Sequence, residues 1–180
     1  MVTVDQLTDA ERNILAQEDA IYLGVAKAFF KHFLRFVQVP ESGVGMVPLQ
    51  EWPHIAKVVE VLANDLLIVW AKSRQIGCTT ILAAYCVWHA QFTPHARVVV
   101  FSKGERDAWD FLDKCKEIYS ALPDALRIKL ESDNREQMVF AGGSKIETMP
   151  STTDAGRGRT PTLVIMDEAD YHEYLDACYN

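Results

Sequence analysis

The chain has 180 residues and a formal net charge of −7 at pH 7, and 49% of its residues are apolar while 24% are charged. Its length suits one α/β domain with a substantial core, and its composition excludes a disordered or fibrous protein. No apolar stretch reaches the roughly 18 residues that a membrane-spanning helix needs, and the negative charge argues against a chain that wraps nucleic acid with its whole surface.

The first part of the sequence predicts a helical arm followed by a loop. Apolar residues recur at roughly helical spacing across residues 8–37, which indicates one or two amphipathic helices. Residues 40–48 contain two glycines and have a proline at each end, so they are predicted to form a loop. We therefore assign residues 1–47 to an N-terminal helical arm and loop, and residues 48–180 to a core domain.

A helix, a strand, a loop and a second helix are predicted next. The first helix covers residues 51–63, where a proline is tolerated in the first turn. Residues 66–71 (L-L-I-V-W-A) form a short apolar run, which is typical of a strand buried on both faces. Residues 72–77 form a polar loop, and residues 79–91 have the apolar content and length of a helix.

The remaining elements alternate in the same way. Residues 97–102 repeat the buried-strand signal, and residues 105–122 predict an amphipathic helix that ends before a proline. Residues 137–140 and 145–149 flank a turn with two glycines and predict a hairpin, and residues 162–166 predict a third buried strand. Because buried strands alternate with helices, the sequence predicts an α/β fold with a mostly parallel sheet and helices on both faces.

Residues 71–80 read A-K-S-R-Q-I-G-C-T-T and depart at two positions from the standard phosphate-binding loop G-x-x-x-x-G-K-[ST]. Gly77 and Thr79 match it, whereas Lys72 stands at the first glycine and Cys78 at the lysine. The physical requirements are still met, because a helix N-terminus offers backbone N–H groups to an anion and Gly77 lets phosphates approach the backbone. Thr79 can offer its hydroxyl to Mg²⁺, and Lys72 can reach back to the β- and γ-phosphates. The alternative is a strand-to-helix turn with incidental basic residues.

Residues 162–170 (T-L-V-I-M-D-E-A-D) place two carboxylates directly after the third buried strand, which is the Walker B arrangement. In this arrangement Asp167 holds Mg²⁺ and Glu168 polarises the attacking water. Open α/β sheets bind ligands at the carboxyl ends of their strands, so we expect Asp167 and Thr79 to converge on one site. The alternative is an acidic cap on a following helix, formed by Asp167 or Asp170.

With its lysine moved to the front and an Arg-Gln pair ahead of the glycine step, the loop K-S-R-Q-x-G-x-T resembles the deviant Walker A motif of phage terminase large subunits. The resemblance covers roughly residues 48–170 and implies a P-loop NTPase fold of the RecA/ASCE type, with ATP and Mg²⁺ as ligands. It implies that Lys72 is the P-loop lysine and that Arg74 contacts the γ-phosphate from within the same subunit. The residues that it assigns to the nucleotide and the metal ion are Gln50, Lys72, Ser73, Arg74, Gln75, Gly77, Cys78, Thr79 and Thr80, with Thr79 and Asp167 as the metal ligands.

A candidate arginine finger rests on the same resemblance. Terminases often carry an Arg-Gly pair ahead of the catalytic glutamate, and Arg157 matches that position. The resemblance implies that Arg157 contacts the nucleotide of a neighbouring subunit and neutralises charge in the transition state, with Arg159 as the second candidate. A solvated basic loop or a contact to DNA phosphates is the alternative.

Terminases and superfamily 2 helicases also place an adenine-reading glutamine upstream of the phosphate loop. Gln50 is the only glutamine there, although His54 has the better spacing. The amide of Gln50 can pair with a donor and an acceptor on the edge of adenine, and Trp52 offers a ring for stacking. A helix-capping segment with a core tryptophan is the alternative.

The resemblance implies the ATPase part of a terminase large subunit, a motor that drives double-stranded viral DNA into a capsid. Glu168, Arg157 and Arg74 are its implied catalytic residues. The implied partners are double-stranded DNA, the portal protein, the small terminase subunit and further copies of the chain in a ring, without a membrane. The implied location is the cytoplasm of the infected bacterial host, at the procapsid portal.

Two parts of the family pattern are missing from residues 1–180. The coupling motif of terminases follows Walker B, on a strand that should lie between the phosphate-loop strand and the Walker B strand, and a nuclease domain follows later. Neither is found in this sequence, so we expect a chain truncated after Walker B. We also expect the isolated chain to hydrolyse ATP weakly or not at all.

Two alternative functions remain open at this point. The literal D-E-A-D string at residues 167–170 favours a DEAD-box-like ATPase of the superfamily 2 helicases, but those enzymes keep a lysine directly before the loop threonine, where this chain has Cys78. In a non-catalytic nucleotide-binding or scaffold domain, Cys78 would instead be the sign of a decayed site.

Overall fold

The computed structural model describes residues 9–71, 77–152 and 158–171 of the chain. The helices in this part are α1 (Asp9–Ala28), α2 (Phe30–Phe33), α3 (Pro53–Asn64), α4 (Cys78–Phe92) and α5 (Glu105–Ala121). The strands are β1 (Gln38–Glu41), β2 (Gly45–Pro48), β3 (Arg97–Ser102), β4 (Leu130–Asp133), β5 (Gln137–Phe140), β6 (Lys145–Pro150) and β7 (Leu163–Met166). None of the described helices is long and apolar enough to cross a lipid bilayer.

Five strands form a mixed sheet in the order β4-β5-β6-β3-β7. Strand β3 pairs parallel with β6 on one side and with β7 on the other, whereas β5 pairs antiparallel with both β4 and β6. The fold is therefore mixed α/β as predicted, but the prediction of a mostly parallel sheet is wrong for the half that contains β4 and β5. Gly142 and Gly143, both with positive φ, form a short turn between β5 and β6, and so short a connection can join only antiparallel strands.

The core is built around β3 and two helices. Every residue of β3 after Arg97 is buried, because β3 has a neighbouring strand on each side. Helices α4 and α5 pack against each other, and both contact β3 and β6. Ile81 and Val87 of α4 and Leu112 of α5 belong to this core. This packing fixes the start of α4 relative to the ends of the strands.

The N-terminal arm packs into the same core. The helices predicted within residues 8–37 are present as α1 and α2, and Phe33 of α2 belongs to the same core cluster as the buried residues of α4. Trp88 of α4 also donates its Nε1–H to the backbone oxygen of Lys27 at 3.1 Å. The arm is thus held by apolar packing and by a hydrogen bond, while the division of the chain at residues 47 and 48 stays a prediction.

Residues 40–48 do not form the predicted loop. Strands β1 and β2 pair as an antiparallel hairpin in which Val39 lies opposite Val47, and the turn is confined to residues 42–44. Composition favours a loop here because of Pro40 and the glycines. A proline is nevertheless tolerated on an edge strand, and both strands of a two-stranded sheet are edge strands.

Residues 66–71 depart furthest from the predicted fold. The run is predicted to be a buried strand, yet it forms no strand, and Leu66 and Val69 are 108% and 89% exposed. Strand β7 pairs only with β3 among the described strands, so Val164 of β7 is exposed as well. The strand that the terminase resemblance places between β7 and this run is not among the described residues. An apolar run becomes a strand only where a neighbour supplies backbone partners.

Candidate functional site

The candidate site lies where α4 begins and where β3 and β7 end. Because β3 and β7 are parallel, their carboxyl ends lie at the same edge of the sheet. The hydroxyl of Thr79, in the first turn of α4, donates to Oδ2 of Asp167, the residue that follows β7, at 3.2 Å. The structure thus brings together a hydroxyl and a carboxylate that lie 88 positions apart in the sequence.

The N-terminus of α4 has the backbone geometry of an anion site. Gly77 precedes the helix with φ 78° and ψ 10°, a left-handed conformation that glycine adopts without strain. Its carbonyl accepts the first helical bond, from the N–H of Ile81 at 3.0 Å. Gly77 has no side chain that could cap the helix. The first N–H groups of any α-helix lack partners within the helix. Together with the helix dipole, they favour a negatively charged ligand here.

Cys78 is buried beside this site. It occupies the lysine position of the standard loop, but it is only 4% exposed and does not line the cleft. A lysine side chain buried to the same extent would carry its charge away from water, at a considerable cost in free energy. The burial of Cys78 is therefore unfavourable for a lysine at this position.

A cleft of about 170 Å³ contains the Thr79–Asp167 contact. Its lining residues are Thr79, Ser102, Lys103, Asp107, Asp110, Phe111, Lys114, Asp167 and Glu168. No cluster of three or more metal-binding side chains occurs among the described residues. Mg²⁺ in nucleotide sites binds through one or two protein oxygens, with phosphates and waters completing its shell. The hydroxyl of Thr79 and the carboxylate of Asp167 fit this type of coordination.

Glu168 lies in the same cleft in an unusual backbone conformation. Its φ is 53°, in the left-handed region that residues other than glycine seldom adopt, and such strain occurs preferentially at functional sites. Its side chain is 45% exposed, and Oε2 accepts a hydrogen bond from Nζ of Lys103 at 3.1 Å. Glu168, followed by Asp107, raises the pKa of Lys103 above its ordinary value, so the ammonium form of Lys103 is stabilised.

Several residues that the sequence assigns to the site are not seen there. Lys72, Ser73, Arg74, Gln75 and Arg157 lie outside the described residues. Gln50 is exposed, and its Oε1 accepts a hydrogen bond from Nε1 of Trp52 at 2.9 Å. Trp52, just before α3, is exposed too, so it is not a core tryptophan. Neither residue lines the cleft that contains Thr79.

Arg159 lies in a second cleft, of about 210 Å³, which shares no lining residue with the first. Its Nε is 3.7 Å from Oε1 of Glu147. Glu147, whose side chain is only 11% exposed, also pairs with Nε of Arg97 at 2.7 Å and with Nζ of Lys145 at 3.1 Å. Burial alone would raise the pKa of Glu147, but hydrogen bonds from Arg97 and Lys145 lower it below its ordinary value.

The lowered pKa predicts that Glu147 stabilises the fold only above the acid range. In the unfolded chain the pKa of a glutamate is about 4.3. The contribution of Glu147 to the free energy of unfolding is therefore complete above that pH and is lost as pH falls through the lower folded-state pKa. We expect Glu147→Gln to lower the free energy of unfolding by about 1–3 kcal/mol near neutral pH. This difference should shrink with acidification in denaturant unfolding measured at a series of pH values.

Glu136→Gln is the matched control for this experiment, because Glu136 lines the same cleft but is exposed. It should change the free energy of unfolding little at any pH. A Glu147→Gln deficit that stays constant through the acid range would contradict the ion-pair assignment.

Lys103 and Asp107 are among the cleft residues that are not predicted from the sequence. A usable signal exists for Lys103, since it follows β3 directly and therefore lies at the same sheet edge as Asp167. Asp107 lies in the first turn of α5. Its approach to Lys103 depends on how α5 packs, which the sequence pattern does not reveal.

A comparison with known protein families agrees with this geometry. The family described as terminase large subunit, T4likevirus-type, N-terminal, matches residues 69–175 of the chain. The match covers more than half of the 180 residues. It includes both motifs that meet in the cleft, with Thr79 near its start and Glu168 near its end.

Proposed function

This chain belongs to the terminase large subunit family of the T4-like type, matched in the N-terminal domain, and from that premise we propose that it is an ATPase motor that powers the packaging of double-stranded viral DNA. The observation that carries the proposal is the 3.2 Å contact between Thr79 Oγ1 and Asp167 Oδ2. This contact joins the hydroxyl of the phosphate loop to the acidic end of a parallel strand, as a nucleotide-hydrolysing site requires.

The proposed fold is a P-loop NTPase core of the RecA/ASCE type. Support comes from the parallel centre of the sheet, β6-β3-β7, and from a helix whose N-terminus meets the carboxyl end of β7. In such sheets the ligand lies outside the carboxyl ends of the strands, which is where the cleft is found.

The proposed ligands are ATP and Mg²⁺. The N–H groups at the start of α4 would receive the phosphates, because Gly77 leaves the approach open. Thr79 and Asp167 would hold Mg²⁺, which neutralises charge on the phosphate oxygens when bound. Lys72 is proposed as the cation at the β- and γ-phosphates, a role that the buried side chain of Cys78 cannot take.

Glu168 is the proposed general base. Its carboxylate lines the same cleft as the Thr79–Asp167 contact and is 45% exposed, so it can accept a proton from a water molecule. Arg74 in the same subunit, and Arg157 or else Arg159 from a neighbouring one, would neutralise the charge that develops on the transferred phosphoryl group. In this structure Arg159 pairs with Glu147, away from the chain's own cleft, which suits a role outside it.

The proposed partners follow from the family. They are double-stranded DNA, the portal protein, the small terminase subunit and further copies of the chain in a ring, in the cytoplasm of an infected bacterium. The net charge of −7 fits a motor that grips DNA through a localised face or through the whole ring. Adenine recognition by Gln50 or His54 also stays a proposal.

Lys72→Ala and Cys78→Ala test the proposed nucleotide site as a pair. Removing the lysine takes away charge-assisted contacts worth about 1.5–3 kcal/mol, so we expect Mg²⁺-ATP to bind about 10- to 100-fold more weakly. Removing the buried thiol deletes no contact to phosphate, so Cys78→Ala should bind ATP almost as wild type does. Calorimetric titration of each variant with Mg²⁺-ATP measures both effects.

The opposite ranking would sink the proposal. If Cys78→Ala abolished binding and Lys72→Ala did not, the displaced-lysine assignment would be wrong. If neither wild type nor variants bound ATP, the protein would be a scaffold with a decayed site.

A further inference from the structure

We propose that Lys103 is a positioning residue, whose ion pair with Glu168 holds the side chain of the general base where it meets the attacking water. This inference rests on the proposed function, because it assigns a task within the same site. Lys103 belongs neither to the phosphate loop nor to the acidic strand end. It is the first residue after β3, on the strand beside β7.

The ammonium group of Lys103 is held from three directions. Its Nζ lies 3.1 Å from Oε2 of Glu168 and 3.5 Å from Oδ1 of Asp107. It also lies 5.6 Å from the centre of the Tyr171 ring, within the range of a cation–π contact. The N–H of Tyr171 donates to the carbonyl of Glu168 at 2.9 Å, which closes a turn and returns the ring towards Lys103. These contacts therefore restrain the ammonium group of Lys103, although its side chain is 42% exposed.

The carboxylate of Glu168 has to be restrained to act as a base. Its long side chain is almost half exposed, and an unrestrained carboxylate at the mouth of a cleft would sample several positions. Hydrolysis depends on a base that is held within hydrogen-bonding reach of the attacking water. Lys103 binds one carboxylate oxygen, Oε2, and the carboxylate keeps further lone pairs that can accept a hydrogen bond from water.

A different role for Lys103 would be a direct contact to phosphate, since the same cleft contains Thr79 and Asp167. The two roles differ in their kinetic effects. Loss of a phosphate contact weakens ATP binding and raises KM. Loss of an ion pair that positions the base lowers kcat and leaves ATP affinity unchanged, because the bound ground state does not use the base.

The test compares Lys103→Met, Lys103→Arg and a matched control, Lys116→Met. Lys116 lies on α5 outside the cleft and pairs with Asp133 at 2.9 Å, so its loss also removes an ion pair of this chain. For Lys103→Met we expect kcat to fall about two- to five-fold with unchanged ATP affinity, as befits an exposed ion pair. Lys103→Arg should restore most of kcat, and Lys116→Met should leave it at the wild-type value.

A second measurement does not depend on turnover. In a double-mutant cycle of Lys103→Met and Glu168→Gln, we measure how each substitution changes the unfolding equilibrium constant. The change in the double mutant should differ from the product of the two single changes by a factor of about two to five. The same cycle measured on kcat should show no further loss from Lys103→Met once Glu168 is replaced, because the base is already gone.

The outcomes separate this inference from the proposed function. No coupling in unfolding, a kcat that rises in Lys103→Met, a weakened ATP affinity or an equal kcat loss in Lys116→Met would each overturn the positioning role alone. If Glu168→Gln leaves turnover unchanged, the assignment of Glu168 as the base fails and the positioning role fails with it. If the wild-type chain does not bind Mg²⁺-ATP, the proposed function itself fails.

Discussion

Replacing Glu168 by glutamine should lower the rate of ATP hydrolysis by about 10²- to 10⁴-fold, the usual contribution of a general base. Glutamine has the same shape as glutamate but cannot accept a proton. It also meets the same left-handed backbone conformation at this position, so the fold should be retained. ATP affinity should stay near the wild-type value, because Thr79 and Asp167, which are proposed to hold the metal ion, are unchanged.

Single-turnover hydrolysis of radiolabelled ATP, with protein in excess, measures this effect even when the wild-type chain is slow. Asp170→Asn is the matched control, since Asp170 is an exposed acid in the short 3₁₀ turn just after Glu168. If the acidic strand end were only a cap for a following turn, the two substitutions would both leave hydrolysis unchanged and would cost similar stability. That result would refute the assignment of Glu168 as the general base.

The parts of the fold that the sequence predicts correctly are those with a strong local signal. Strand β3 is a continuous apolar run with a strand on each side, and α4 and α5 have the length and apolar content of packed helices. Residues 66–71 carry an equally strong apolar signal, yet residues 66–69 are exposed. The difference is the presence of a neighbouring strand, which no single-segment pattern contains.

Strand β4 and the β1–β2 hairpin are not predicted from the sequence, for different reasons. Strand β4 reads L-E-S-D and is mostly exposed, so it lacks the apolar alternation that marks a strand. It forms because β5 beside it offers an open edge, to which it pairs antiparallel. The β1–β2 hairpin is missed for the opposite reason, because its proline and glycines satisfy the composition of a loop although its backbone is paired.

For the site, sequence reasoning reaches the residues that stand at strand ends and helix starts. The rule that ligands bind at the carboxyl edge of a sheet places Thr79 near Asp167, and their hydroxyl and carboxylate lie 3.2 Å apart. The same rule places Lys103 at this edge, but it does not predict the ion pair of Lys103 with Glu168. It does not reach Glu147 at all, because the contacts of Glu147 depend on side chains from several elements. Pairings of this kind follow from tertiary packing and have no signature in sequence spacing.

Replacing Phe33 by alanine should lower the free energy of unfolding by about 3–5 kcal/mol, the usual cost of deleting a fully buried aromatic side chain. Phe33 is 0% exposed, and its ring packs 6.0 Å from that of Phe92 at the end of α4. Phe29, on the same arm, is 60% exposed, so Phe29→Ala is the matched control and should change the free energy of unfolding by less than about 0.5 kcal/mol.

The two substitutions decide whether the N-terminal arm is part of the core or an appendage. If the arm belongs to the core, Phe33→Ala shifts one cooperative unfolding transition, followed by tryptophan fluorescence and circular dichroism in denaturant. It should also weaken ATP binding when the protein is near its unfolding midpoint, because the ring of Phe33 packs against the helix whose N-terminus is proposed to bind the phosphates. A Phe33→Ala variant that unfolds like Phe29→Ala would show that residues 30–37 contribute little to the core, and that the rest of the domain is stable without the arm.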